Sequence, residues 1–71
     1  MFKAEWFKGD PDSPTILAET PLPGAANPNE ANLAAKALFS GMWDLHKPHL
    51  KGFRILDSQT GRIVRAFDAS L

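Results

Sequence analysis

Asn27-Pro28-Asn29-Glu30-Ala31-Asn32-Leu33-Ala34-Ala35-Lys36-Ala37-Leu38-Phe39-Ser40-Gly41-Met42-Trp43-Asp44-Leu45 is the stretch that sets the architecture. Asn27 suits an N-cap, because its side-chain oxygen accepts from the free backbone N–H groups of a first helical turn. Pro28 falls at the first helical position, where a missing N–H costs nothing. Glu30 falls at the third, able to reach back towards the cap and suited to the positive end of the helix dipole. Inside the segment Ala31, Ala34, Ala35, Leu38, Met42 and Leu45 recur at three- and four-residue spacing, which predicts one apolar stripe that Phe39 widens. Asn29, Asn32, Lys36 and Ser40 fall on or near the opposite face. Gly41 costs about 1 kcal/mol relative to Ala in a helix interior. Met42 and Leu45 nevertheless keep the register, so the helix is expected to run to about Leu45, with Pro48 as a later stop.

A hairpin-like stretch flanks the helix on each side. From Phe2 to Lys8, Phe2, Ala4 and Trp6 alternate with Lys3 and Glu5, the period of a half-buried strand, and Phe7 places one aromatic on the other face. Gly9-Asp10-Pro11-Asp12-Ser13-Pro14 is dense in turn formers, and Thr15 to Thr20 reads as a second strand. Pro21 and Pro23 are expected to end that strand, and Gly24 to let the backbone turn. Beyond the helix, Lys51 to Leu56 makes a third strand. Asp57-Ser58-Gln59-Thr60-Gly61 makes a hairpin turn, in which Asp57 bonds forward to its own backbone and Gly61 supplies a positive φ. Arg62 to Phe67 is the fourth strand, and Ala69-Ser70-Leu71 is expected to fray. The order β-β-α-β-β places the chain in the α+β class, an antiparallel four-stranded sheet packed on one amphipathic helix, in a single small domain over residues 1–71.

Size and composition narrow the function classes. At 71 residues the chain buries only about 60% of the surface its unfolded form exposes, so its core is marginal. With no cysteine, disulfides and thiolate metal sites are excluded, which leaves packing and self-association to stabilise it. Apolar residues at 44% and charged residues at 23% give the balance of a globular chain, not a disordered one. A formal net charge of zero argues against a dedicated nucleic-acid binder, because phosphate recognition is driven by cationic charge. The charge is unevenly placed. Residues 1–35 hold Lys3 and Lys8 against Glu5, Asp10, Asp12, Glu19 and Glu30, a net of −3. Residues 36–71 hold Lys36, Lys47, Lys51, Arg54, Arg62 and Arg65 against Asp44, Asp57 and Asp68, a net of +3. No run approaches the roughly 18 apolar residues of a membrane span, and the N-terminus lacks a leader pattern, so a cytoplasmic address with no membrane partner is expected.

Few residues offer chemistry. His46 and His49, with Asp44 nearby, form the only cluster of metal-ligand types, but no fourth ligand lies close, Lys47 adds repulsion and Pro48 distorts the spacing. A polar helix exit, with His46 at the negative dipole end, explains them better. Ser58 and Thr60 fit a hairpin better than a nucleophile. Asp10 and Asp12 flank a loop proline, and the glycines form no phosphate cradle. Neither enzyme activity, cofactor nor metal is therefore expected. Lys51, Arg54, Arg62 and Arg65 on the last hairpin, interleaved with Phe53 and Phe67, are the nucleic-acid candidates, since cations and aromatics on a sheet can hold single strands. Core-facing phenylalanines with solvated arginines are the competing and preferred reading.

Apolar residues left over from the core point to protein contact instead. One helix covers one sheet face. If Ala4, Trp6, Ile16, Ala18, Phe53 and Ile55 line the helix side, then Phe7, Leu17 and Leu56 face away, joined by one set from the fourth strand, either Ile63 with Phe67 or Val64 with Ala66. A contiguous apolar patch marks an interface, so Phe7, Leu17 and Leu56, with Trp43 at the margin of the helix stripe, are the interface candidates. They imply a homodimer through the sheet face or an edge strand, or another protein partner.

The capped helix and the Asp57-Ser58-Gln59-Thr60-Gly61-Arg62-Ile63-Val64 hairpin together resemble short bacterial proteins of unknown function that end in a strand, an Asp-x-x-Thr-Gly turn and a returning strand. The resemblance covers the second half of the chain. It implies a compact β-β-α-β-β domain and no defined activity, and it carries no functional residue.

Overall fold

The computed structural model describes residues 1–10, 12–47 and 49–68; Pro11, the helix stop expected at Pro48 and the fraying expected of 69–71 lie outside them. Strands β1 (Phe2–Lys8) and β2 (Thr15–Leu22) precede helix α1 (Pro28–His46), and β3 (Gly52–Asp57) and β4 (Ile63–Asp68) follow it. The four strands form one antiparallel sheet in the order β2-β1-β3-β4. Two hairpins are thus joined along β1 and β3, and α1 lies across one face.

The helix begins as its sequence dictates. Asn27 is extended, and its Oδ1 accepts from the Glu30 N–H at 2.9 Å. The Glu30 carboxylate reaches one residue further back than a capping box requires, accepting from the Ala26 N–H at 3.3 Å and from Asn27 Nδ2 at 3.4 Å. At the far end the Lys47 N–H returns to the Trp43 carbonyl at 2.8 Å. The last hairpin closes on Gly61 at φ 73°, whose N–H bonds the Asp57 carbonyl at 2.7 Å, while Asp57 Oδ1 accepts from the Gln59 N–H at 2.9 Å. β2 continues through Pro21 and Leu22, past the prolines expected to stop it. It is an edge strand, and an edge tolerates a residue that donates no ladder hydrogen bond.

Ala4, Trp6, Leu22, Ala31, Ala35, Leu50, Phe53 and Ile55 form the core between helix and sheet. Two small helix residues, Ala31 and Ala35, let the helix approach closely, and large sheet residues fill the space. Trp6 and Phe53 meet edge to face at 5.3 Å, Phe53 and Phe67 stack at 5.2 Å, and Phe39 descends from the helix onto Phe67 at 5.5 Å. Such ring pairs add about 0.5–1.5 kcal/mol each beyond their burial. The Trp6 indole N–H, fully buried, donates to Thr20 Oγ1 at 2.9 Å.

Two bulges alter the faces expected from strict alternation. Trp6 pairs with Ala18 and Phe7 with Ile16, so Leu17 is the extra residue. It packs against the core, and Ile16 goes to the open face. Ile55 pairs with Arg65 and Leu56 with Ile63, so Val64 is extra in β4. Val64 and Phe67 therefore both pack on the helix side, a combination that neither simple alternation contains. A bulge places two residues against one and reverses the facing of the residues beyond it.

Candidate interaction surface

The interface candidates occupy different environments. Phe7 and Leu56 stand on the open sheet face, yet they are only 3% and 7% exposed. Leu17 is half-buried against the core on the helix side and does not face away. Trp43 is 38% exposed, its ring stacked on Phe39 at 6.2 Å. The open face is also organised by charge. Arg54 Nε donates to Glu5 Oε1 at 2.6 Å between two half-buried strands. Glu19 lies directly across from Glu5, and Lys3 Nζ reaches both, Glu19 at 3.1 Å and Glu5 at 3.9 Å. One lysine thereby offsets the repulsion of two facing carboxylates. This row of ions runs between Phe7 and Leu56, so the apolar positions of that face do not form one contiguous accessible patch.

Most of the exposed large apolar side chains are on the helix, with Ile16, Ile63 and Met1 exposed on the sheet and at its edge. Leu33 is 66% exposed, Leu38 43% and Leu45 76%, with Ala37 and Gly41 open between them. The expected stripe included Leu38 and Leu45. The aromatic cluster explains the difference: Phe39 must reach Phe67 and Trp6, and that contact rolls the helix towards Ala31, Ala35, Phe39 and Met42. The flank that carries Leu38, Gly41 and Leu45 is left facing outwards, with Ala34 half-buried against the core at its edge. At 3.6 residues per turn these four side-chain positions fall within an arc of about 60°. Beside Ala34, against the end of β2, lies an open and mainly apolar cleft of about 310 Å³, whose walls include Leu22, Pro23, Ala25 and Glu30.

The basic candidates are dispersed. Arg54 is held by Glu5. Arg65 Nη2 donates to Asn29 Oδ1 at 3.1 Å, tying β4 to the helix start, and Nη1 donates to the Val64 carbonyl at 2.8 Å. Arg62 and Arg65 line a second cleft of about 430 Å³ with Thr60 and Pro28, and Lys51 lies apart, its N–H bonded to the Phe7 carbonyl. Phe53 is fully buried and Phe67 is sandwiched between Phe53 and Phe39 with the Lys36 ammonium 5.5 Å over its ring. Neither ring presents a face for a base to stack on. His46 is half-buried and His49 exposed; the His49 N–H bonds the His46 carbonyl at 2.9 Å. Among the described residues no three His, Cys, Asp or Glu side chains come together as metal ligands, and no helix is long and apolar enough to cross a membrane.

The one signal in the sequence that could have located the helix flank is the spacing of Leu33, Leu38 and Leu45, which together with Ala31, Ala35 and Phe39 makes the apolar arc wider than one sheet contact needs. Comparisons with protein families, with curated proteins and with solved structures yield no match for this chain.

Proposed function

We propose that this chain is a small, non-enzymatic protein-interaction module that associates with itself. The observation that supports the reading is the outward flank of α1, where Leu38 and Leu45 stand open to solvent near an apolar cleft. Single exposed leucines are ordinary, whereas a contiguous set on one element is the usual mark of a contact surface. A net charge of zero puts little self-repulsion in the way. A marginal core also gains from a second copy, since association stabilises whatever form it binds.

Mass in solution, measured by light scattering over a dilution series, tests this. A mass above that of one chain, falling on dilution and falling further in Leu45→Glu with the circular dichroism spectrum unchanged, is the expected result. A single-chain mass at every concentration contradicts it.

A further inference from the structure

We propose that the cleft between the last hairpin and the start of α1 binds the phosphate group of a small phosphate monoester, held by Arg62, Arg65 and Thr60. This goes beyond the self-association reading and does not depend on it. The chain has three arginines, and the fold treats them differently. Arg54 is neutralised by Glu5. Among the described residues the ion pairs join Lys3 and Arg54 to Glu5 and Glu19, and neither Arg62 nor Arg65 has a carboxylate at that distance. These two line one cleft of about 430 Å³.

Arg65 is held in place by neutral partners. Its Nη2 donates to Asn29 Oδ1 at 3.1 Å and its Nη1 to the Val64 carbonyl at 2.8 Å. Those bonds orient the guanidinium, leave its charge uncompensated and leave further N–H donors on the fork. Thr60 Oγ1 accepts from the Arg62 N–H at 3.2 Å, so its hydroxyl hydrogen remains to donate. Pro28 brings the positive end of the helix dipole to the same wall, while Glu30, the acid of that first turn, lines the other cleft. One carboxylate opposes these groups. Asp57 is also in the lining, which therefore carries a net +1 from two arginines and one aspartate; its Oδ1 accepts from the Gln59 N–H within the turn at 2.9 Å. Two guanidinium forks and a hydroxyl suit the three oxygens and double charge of a phosphate monoester. No track of cations leads away from the cleft, since Arg54 is paired and Phe53 and Phe67 offer no face for a base. A single phosphate fits this arrangement better than a polyanion. The volume exceeds what a bare phosphate fills, and Pro28, Ile63 and Val64 supply apolar wall for a small organic group beside it.

The test is a titration of the native chain at fixed ionic strength, read in amide nitrogen–proton correlation spectra, with phenyl phosphate, inorganic phosphate and benzoate as probes. The expected result is saturable shifts at Asn29, Thr60, Arg62 and Arg65, with a phenyl phosphate Kd of about 1 mM or below, weaker binding of inorganic phosphate and no saturation with benzoate. Arg62→Gln weakens phenyl phosphate about tenfold, the loss of one charge-assisted contact. Asp57→Asn keeps the forward bond of the turn and strengthens binding about twofold by removing the opposing charge. Both variants leave the Arg65–Asn29 tie in place, and circular dichroism verifies their folding. Lys47→Gln, which removes a cation at the other end of α1, leaves binding unchanged. Shifts that rise without saturating, a loss in Lys47→Gln as large as that in Arg62→Gln, or benzoate binding as tightly as phenyl phosphate each overturn the proposal. The mass of the chain in solution plays no part in these readouts, so failure here leaves the self-association reading standing.

Discussion

Replacing Gly52 by alanine sets two effects of opposite sign against each other. Gly52 sits at the start of β3 opposite Asp68, and its φ is not in the left-handed region. On backbone entropy alone, alanine there would stabilise the fold by about 0.4–1 kcal/mol. The space forbids it. A Cβ at Gly52 would lie 1.9 Å from the Phe67 carbonyl oxygen, 2.9 Å from its carbon and 3.1 Å from the Asp68 Cα. All three are backbone atoms, so no side chain can swing aside. To restore an ordinary 3.4 Å contact, the end of β4 must retreat by about 1.5 Å. β4 is an edge strand paired only with β3, and its Phe67 ring is stacked between Phe53 and Phe39. Overpacking of this kind costs about 1–3 kcal/mol, so the net destabilisation is about 1–2 kcal/mol. In a domain of this size that lowers Tm by roughly 5–15 °C. Urea and thermal unfolding followed by circular dichroism, at one dilute concentration, measure it. Gly41→Ala is the control, since a Cβ there meets nothing within 4 Å; it should stabilise the helix by about 1 kcal/mol. Equal or greater stability of the Gly52→Ala chain would refute the close β3–β4 approach.

Two further substitutions probe the interior. Thr20→Val removes the acceptor of the buried Trp6 indole N–H while keeping the side-chain shape; it should cost about 1–3 kcal/mol in urea unfolding, and an unchanged midpoint would show that the indole is satisfied elsewhere. Arg54→Ala strips Glu5 of its 2.6 Å partner and should cost about 2 kcal/mol, whereas Arg54→Met with Glu5→Leu together should recover most of that loss, since a half-buried pair is replaceable by packing; a double variant as unstable as the single one would contradict this.

The β-β-α-β-β order was legible because each element is punctuated locally: Asn27, Pro28 and Glu30 open the helix, and Asp57 and Gly61 close the last hairpin. These signals act over three or four residues and need no tertiary context. The sheet order was not legible, because it depends on β3 returning beside β1, and with it went the Glu5–Arg54 pair. The facing of Leu17, and the placing of Val64 with Phe67 on one side, escape the sequence pattern for a second reason. Each sits in a bulge, and neither bulge contains a glycine or proline that would mark it. The helix face was misjudged by part of a turn. Leu38 and Leu45 fit the apolar period as well as Phe39 does, and only the ring contacts across the sheet decide which side is buried. That same rotation leaves Leu38 and Leu45 accessible on the helix flank, while Phe7 and Leu56 on the sheet are covered.

The most direct test of where this protein makes contact is a concentration series of amide nitrogen–proton correlation spectra. The helix-flank account predicts shifts that grow with concentration at Ala34, Leu38, Gly41 and Leu45 and along the Leu22 to Ala25 wall of the cleft, with Phe7, Leu17 and Leu56 unmoved. Shifts confined to the open sheet face or to the edge strands, or none at all at the highest concentration, would contradict it.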